Sequence, residues 1–193
     1  IERADSVTLD AHKWLFVPFE CGGLLVRDPA VLRAAFHVSP EYLHDVSGPD
    51  VDVNFAEYGG QLTRAARALK VWCAVQHFGT RALAAEVEAG LARARHAEQV
   101  VRETPELELL APTTLGICCF RVRPRENLDD AALDALNERV LQRLTAEARW
   151  LISSTRLRGR LALRVCPIGF RTTPDDVAGA LRRCVELAGE AEG

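Results

Sequence analysis

Ser6-Val7-Thr8-Leu9-Asp10-Ala11-His12-Lys13-Trp14-Leu15-Phe16-Val17-Pro18-Phe19-Glu20-Cys21-Gly22-Gly23-Leu24-Leu25-Val26-Arg27 is the stretch on which the reading of this chain turns. Val7 and Leu9 alternate with Ser6, Thr8 and Asp10, which predicts a short half-buried strand ending where His12 and Lys13 begin. Gly22-Gly23 admits a tight backbone path into a second strand, Leu24-Leu25-Val26, so two strands flank a turn over residues 14–21. Lys13 is singled out by scarcity. The chain carries 24 lysines and arginines, and only Lys13 and Lys70 are lysines. Arginine stays protonated at any working pH and cannot form an imine, so a lysine kept in an arginine-rich chain is a candidate for covalent chemistry. Strand ends are also where α/β proteins place reactive groups.

Outward from this stretch, Asp28-Pro29 predicts the start of a short helix, with proline accepted in its first turn. Periodicity is then lost over residues 37–55, which collect Ser39-Pro40 and Ser47-Gly48-Pro49-Asp50. Loops of this length inside a compact domain are often lids over active sites. A helix is predicted over residues 61–78, with Leu62, Ala66, Leu69 and Cys73 on one face and Arg64, Arg67 and Lys70 along a neighbouring stripe, on which Lys70 serves a solvated or interface face. A second runs over residues 80–102 with Leu83, Val87, Leu91, Ala94 and Val101 inward, and Thr104-Pro105 stops it. Strands follow at residues 107–111 and 117–122, then an amphipathic helix over 129–148 with Leu133, Leu136, Val140, Leu141 and Leu144 inward. Two more strands, 151–154 and 161–166, flank a turn at Arg158-Gly159. Thr173-Pro174 with Asp176 opens a last helix to about Gly189.

With 193 residues and 48% apolar content, the chain has the material for a sizeable core. Its formal charge of −3 argues against a nucleic-acid or anionic-membrane partner. No apolar run approaches the roughly 20 residues that cross a bilayer, and the first residues lack a signal-peptide pattern, so a cytoplasmic location is expected. The six cysteines, Cys21, Cys73, Cys118, Cys119, Cys166 and Cys184, show no Cys-x-x-Cys spacing and read as reduced core residues, with no metal site. The absence of methionine and the start at Ile1 suggest an incomplete translation product.

The run from Ser6 to Arg27 resembles the lysine signature of the group II pyridoxal-phosphate (PLP) decarboxylases, the aromatic-L-amino-acid decarboxylase family. Ser6 and Val7 open it, Lys13-Trp14-Leu15 form its centre, Phe19 and Cys21 follow, and Leu24 and Arg27 close it. The resemblance continues through Ser39-Pro40-Glu41-Tyr42-Leu43, from Leu62-Thr63-Arg64 to Leu69-Lys70-Val71-Trp72, and from Leu163-Arg164-Val165 to Phe170-Arg171-Thr172-Thr173. It implies an α/β fold, namely the C-terminal part of a PLP-dependent transferase fold of type I. Residues 1–103 would be the end of the large cofactor domain, with a lid at 37–55 and connecting helices, and 104–193 a small C-terminal α+β domain. An N-terminal portion, more than half of a typical member, would then be missing from this chain.

The resemblance further implies decarboxylation of an L-amino acid, aromatic side chains favoured, to the amine and carbon dioxide. Lys13 would form the Schiff base with pyridoxal 5'-phosphate, and Tyr42 in the lid would protonate the substrate carbon. A phenol on a mobile loop suits that task because closure positions it and excludes water. Read without the family, Tyr42 is an anchoring loop aromatic. His12 is either a cofactor contact, as the lysine motif implies, or a satisfied structural residue. Asp10 reads as a strand-end group, and Arg171 as a structural residue before the Thr173 cap or a carboxylate ligand. The adjacent arginines common in the family are Arg64-Ala65 here, and Tyr58 stands where tryptophan is common. Family members are homodimers, so a homodimer is implied for a full-length protein. Two alternatives stand beside this reading: a non-catalytic truncated fragment lacking the cofactor-binding half, and a PLP-dependent relative that forms an aldehyde.

Overall fold

The computed structural model of the chain describes residues 1–37 and 53–190, which divide into two compact units, Ile1–Leu83 and Ala84–Gly193. In the first unit β1 (Ser6–Asp10) pairs antiparallel with β2 (Gly22–Val26), from Ser6 opposite Val26 to Asp10 opposite Gly22. A single helical turn, α1 (Ala11–Trp14), leaves directly from the end of β1. Half-burial of β1 is met only at Val7. Leu9 and Leu24 stay largely exposed, and Leu25 is 68% exposed, because a two-stranded ribbon covers little of its own faces. α2 (Pro29–Phe36) starts as expected, with the Asp28 carboxylate accepting from the Ala30 N–H at 2.9 Å.

The helix expected from residue 61 begins six positions later, as α3 (Arg67–Glu103). Its approach is turned aside by local contacts: Arg64 Nη1 donates to the Phe55 carbonyl and the guanidinium lies over that ring. Phe55 itself opens a 3-10 turn, Phe55–Tyr58, capped by the Asn54 side chain. Gly79 breaks α3 with φ 77° and ψ 155°, so the two helices read from the sequence meet there. The covered face is also not the expected one. Leu69 is 57% exposed, Leu62 and Cys73 are exposed, and Val71 and Ala74 pack instead against Ala11, Val17 and Cys21. Both stripes have helical spacing, and only the tertiary partner decides between them.

The second unit is an α+β layer, with β3 (Leu107–Ala111), β4 (Cys118–Val122), β5 (Ser153–Leu157) and β6 (Arg160–Val165) forming an antiparallel sheet in the order β3-β4-β6-β5. α4 (Asp130–Ala146) and α5 (Pro174–Gly189) contribute Leu136, Val140, Leu144, Val177, Leu181 and Leu187 to one core with Phe120, Val122 and Leu163. Ala97 and Val101, from the C-terminal part of α3, belong to the same core. Asp129 caps α4 by accepting from the Ala132 N–H, and Thr173 and Asp176 cap α5 reciprocally. Arg158 and Gly159, at φ 52° and 81°, turn β5 into β6. The strand expected from residue 151 starts at Ser153; Leu151 is 90% exposed, and Trp150 lies against Gly179 of α5.

Asn137 of α4 repairs a gap in this sheet. The pairing of β4 with β6 runs from Cys118 to Phe120, and the buried amide of Asn137 takes over at Val122, accepting from its N–H at 2.7 Å and donating to its carbonyl at 2.8 Å. Asp134 does the same for the Leu161 N–H. Of the cysteines, Cys21, Cys118 and Cys184 are buried, and burial pushes the Cys118 thiol up to about 11 and that of Cys184 up to about 12. Cys73 and Cys166 are exposed, which corrects their assignment to the core; both leave the faces that pack.

Candidate active site

Asp10 ends β1 in an extended conformation, and the chain folds at once into α1, which turns Lys13 back over the strand end. Lys13 Nζ donates to Asp10 Oδ2 at 2.5 Å, and the lysine side chain is 58% exposed. That hydrogen bond, with the attraction of the ammonium, holds the Asp10 carboxyl below its ordinary value. Asp10 is therefore a strand-end group, as expected, and also the ion-pair partner of the lysine. An i, i+3 carboxylate is a signal the sequence carries.

His12 faces the far side of the turn. Its N–H donates to the Cys21 carbonyl at 3.2 Å, and its Nδ1 lies 2.9 Å from that carbonyl and 3.1 Å from the Cys21 N–H. The Cys21 carbonyl already accepts from the His12 backbone, so the arrangement that satisfies both groups has Nδ1 accepting from the Cys21 N–H and the ring proton on Nε2. The ring stands edge-on to Phe19, with centroids 5.0 Å apart. His12 thus ties residues 12 and 21 together.

The segment between them is anchored by the start of α3. Lys70 Nζ donates to the carbonyls of Pro18, Phe19 and Glu20 at 3.3, 3.4 and 3.0 Å. Arg67 binds the Glu20 carboxylate, whose proton affinity falls as a result, and reaches Gln61 with Nη1. Cys21 Sγ approaches the Arg67 carbonyl at 3.6 Å. Lys70, expected on a solvated or interface face, is partly buried against backbone that lies about 50 residues earlier in the chain, a contact no local pattern announces.

Tyr42 and His44 lie outside the described residues, as does most of the segment 37–55. Arg171 stacks its guanidinium over the Phe170 ring, 5.3 Å from the centroid. Among the described residues no group of three His, Cys, Asp or Glu side chains is placed to hold a metal ion, and no helix is long and apolar enough to cross a membrane.

Residues 1–123 match the pyridoxal-dependent decarboxylase conserved domain. The chain belongs to that family, whose cofactor is pyridoxal phosphate. It is 34% identical over 191 residues to aromatic-L-amino-acid decarboxylase of Bacillus atrophaeus, covering 98% of this chain and 40% of that protein. Against phenylacetaldehyde synthase of Arabidopsis thaliana it is 29% identical over 176 residues, 91% of this chain and 36% of the relative. The crystal structure of Oryza sativa TDC with PLP and tryptamine superposes with a TM-score of 0.88 at 25% identity, over 100% of this chain and 40% of that one. The fold is thus that of a part of a PLP decarboxylase, as the lysine signature implied, and the chain spans 36% to 40% of the length of these two curated relatives.

Proposed function

We propose that the protein carrying this chain is a PLP-dependent carboxy-lyase that removes the α-carboxylate of an L-amino acid, aromatic substrates foremost, with Lys13 attaching the cofactor and Tyr42 delivering the proton. One observation carries the reading: an accessible primary amine is held on a one-turn helix at a strand end, with both ends of the following turn tied down. A cofactor aldehyde needs such an amine, and Lys13 supplies it with one carboxylate partner, so the residues present fit covalent attachment. When bound, the cofactor supplies an electron sink for the pair left as carbon dioxide departs.

The rest is work for the chain's own side chains. Asp10 orients the Lys13 amine through Oδ2, and the His12–Cys21 pairing keeps the turn that carries it from swinging. Tyr42 Oη would hold the proton for the substrate carbon. A homodimer, a cytoplasmic location and domain limits at 1–103 and 104–193 belong to the same proposal for the whole protein.

The resemblance to phenylacetaldehyde synthase gives the second reading, aldehyde formation. Tyr42 favours decarboxylation, since the aldehyde-forming relatives tend to carry phenylalanine there. The test is product analysis on the full-length protein: amine and carbon dioxide are expected, and aldehyde with peroxide would replace this reading by the second. Lys13→Ala is expected to abolish turnover. Tyr42→Phe should lower amine formation by about 10²-fold or more, the usual contribution of a positioned acid. Undiminished amine formation in Lys13→Ala would end the proposal, and a chain of residues 1–193 that shows no turnover beside an active full-length protein would make it the non-catalytic part.

A further inference from the structure

We propose that Lys70 is a positioning residue for Lys13, its ammonium setting the turn on which the reactive amine is presented; this rests on the cofactor reading of Lys13 given above. The two lysines of the chain stand on either side of one segment, residues 14–20, in a molecule that uses arginine at the other 22 of its 24 basic positions. Three successive carbonyls, of Pro18, Phe19 and Glu20, converge on Lys70 Nζ at 3.3, 3.4 and 3.0 Å. Converging carbonyl oxygens repel unless a donor lies between them, and on this exposed segment the ammonium, not burial, holds the three together. A compact ammonium with three rotatable donors suits three convergent acceptors. A planar guanidinium has its donors in a fixed fork and does not.

The clamp acts on Lys13 through a short path of covalent and hydrogen-bonded steps. Glu20 leads into Cys21, whose N–H and carbonyl meet the ring and backbone of His12, the residue before Lys13. From the other end, Val17 N–H reaches the Ala11 carbonyl at 3.4 Å, and Ala11, Val17 and Cys21 rest on Val71 and Ala74, neighbours of Lys70 on α3. Apolar packing fixes where the turn sits, while the directional bonds of Lys70 fix how its backbone faces. Without the ammonium the Pro18–Glu20 backbone rotates, the His12–Cys21 pairing loosens, and the amine loses its set direction.

The test times covalent attachment rather than turnover. Apo full-length protein is mixed with saturating PLP and quenched with borohydride at intervals, and the Lys13 peptide is quantified by mass spectrometry. Wild type is compared with Lys70→Met, Lys70→Arg and Lys13→Arg, with melting temperatures measured in parallel. Wild type should label at Lys13 and Lys13→Arg should not. Both Lys70 variants should label about tenfold more slowly at a temperature where they are fully folded, the factor expected from losing a charged hydrogen-bond donor. A merely structural role would lower the melting temperature and leave the rate of the folded protein unchanged, so wild-type rates in folded Lys70 variants overturn the inference. If removing the ammonium unfolds the protein, Lys70→Arg decides alone, because it keeps the charge and changes only the donor geometry. Wild type that does not label at Lys13 overturns the cofactor reading, and this inference with it.

Discussion

Lys13 and Asn137 show two ways in which one side chain is read from a sequence. Scarcity marks Lys13 and Lys70 alike, since imine chemistry excludes the arginine used at the other basic positions, and only the strand end before Lys13 separates the two. Asn137 was not legible. It lies among Leu133, Leu136, Val140 and Leu144 on a helix face whose apolar periodicity hides it, and its role appears only once β4 and β6 diverge. Its amide accepts from the Val122 N–H and donates to the Val122 and Leu133 carbonyls, all in a region sealed from water. Asn137→Ala strands the Val122 N–H and carbonyl, while the Leu133 carbonyl keeps its helical bond, and an unsatisfied buried polar group costs about 1–3 kcal/mol. With the small cavity added, a loss of about 3 kcal/mol is expected in urea denaturation. Asn137→Asp should fail as well, since an ionised carboxylate cannot donate to two carbonyls. A loss below about 1 kcal/mol in both variants would show that the sheet closes its own gap.

Elements were read best where their limits are set by local chemistry. The caps Asp28, Asp129 and Thr173, and the Arg158-Gly159 turn, fall where the sequence places them, because each is a contact within about four residues. Misreadings gather where a partner distant in sequence decides: the start of α3, turned aside by Arg64 and Phe55, and its covered face, chosen by Ala11, Val17 and Cys21. Gly79 is a case where backbone conformation alone matters. A Cβ there would meet no atom within 4 Å, yet φ 77° with ψ 155° is a region nearly closed to other residues. Gly79→Ala is therefore expected to destabilise by about 1–3 kcal/mol through strain and not through a clash, and Gly79→Asn should cost no less. Equal stability of wild type and Gly79→Ala would mean the break in α3 is not fixed in solution.

Acid should loosen the join between α4 and α5. Arg183 of α5 binds Glu147 at the end of α4 together with Glu186 and Glu190, and Arg143 binds Glu190. The hydrogen bonds from Arg183 hold the Glu147 and Glu190 carboxyls below their ordinary 4.5, and Thr173 holds Asp176 below 3.8. Carboxyls with depressed folded-state values contribute stability that is full above the unfolded values and disappears as pH falls through the folded ones. Stability of the second unit should thus decline from pH 4.5 downward, and the decline should be shallower in Arg183→Met. Identical acid slopes in the two proteins would remove these pairs from the account.

At the scale of the whole chain, burial is unevenly shared. The second unit encloses Phe120, Leu136, Val140, Leu144, Leu163, Leu181 and Leu187 in one core, whereas among the described residues the buried cluster of the first unit consists of Ala11, Val17 and Cys21, two of them small. Around that small cluster stand exposed apolar side chains: Leu9, Leu24 and Leu25 on the ribbon, Phe19 in the lysine turn, and Leu69 and Trp72 on α3. Buried apolar area is the main source of folding free energy, and local opening follows its distribution. In the 193-residue polypeptide, amides of β4, β6, α4 and α5 should therefore exchange through global unfolding, and those of β1, β2 and α1 through much cheaper local openings. The same apolar surface, with ribbon edges beside it, should make this polypeptide self-associate at micromolar concentration and bind a hydrophobic dye such as ANS. Hydrogen exchange read by mass spectrometry, with sedimentation velocity on the same sample, checks both expectations. Uniform protection across the two units in a monodisperse monomer would mean that the lysine corner is stable by itself. Selective opening of β1, β2 and α1 would mean that the burial of Ala11, Val17 and Cys21 does not by itself hold the lysine turn rigid.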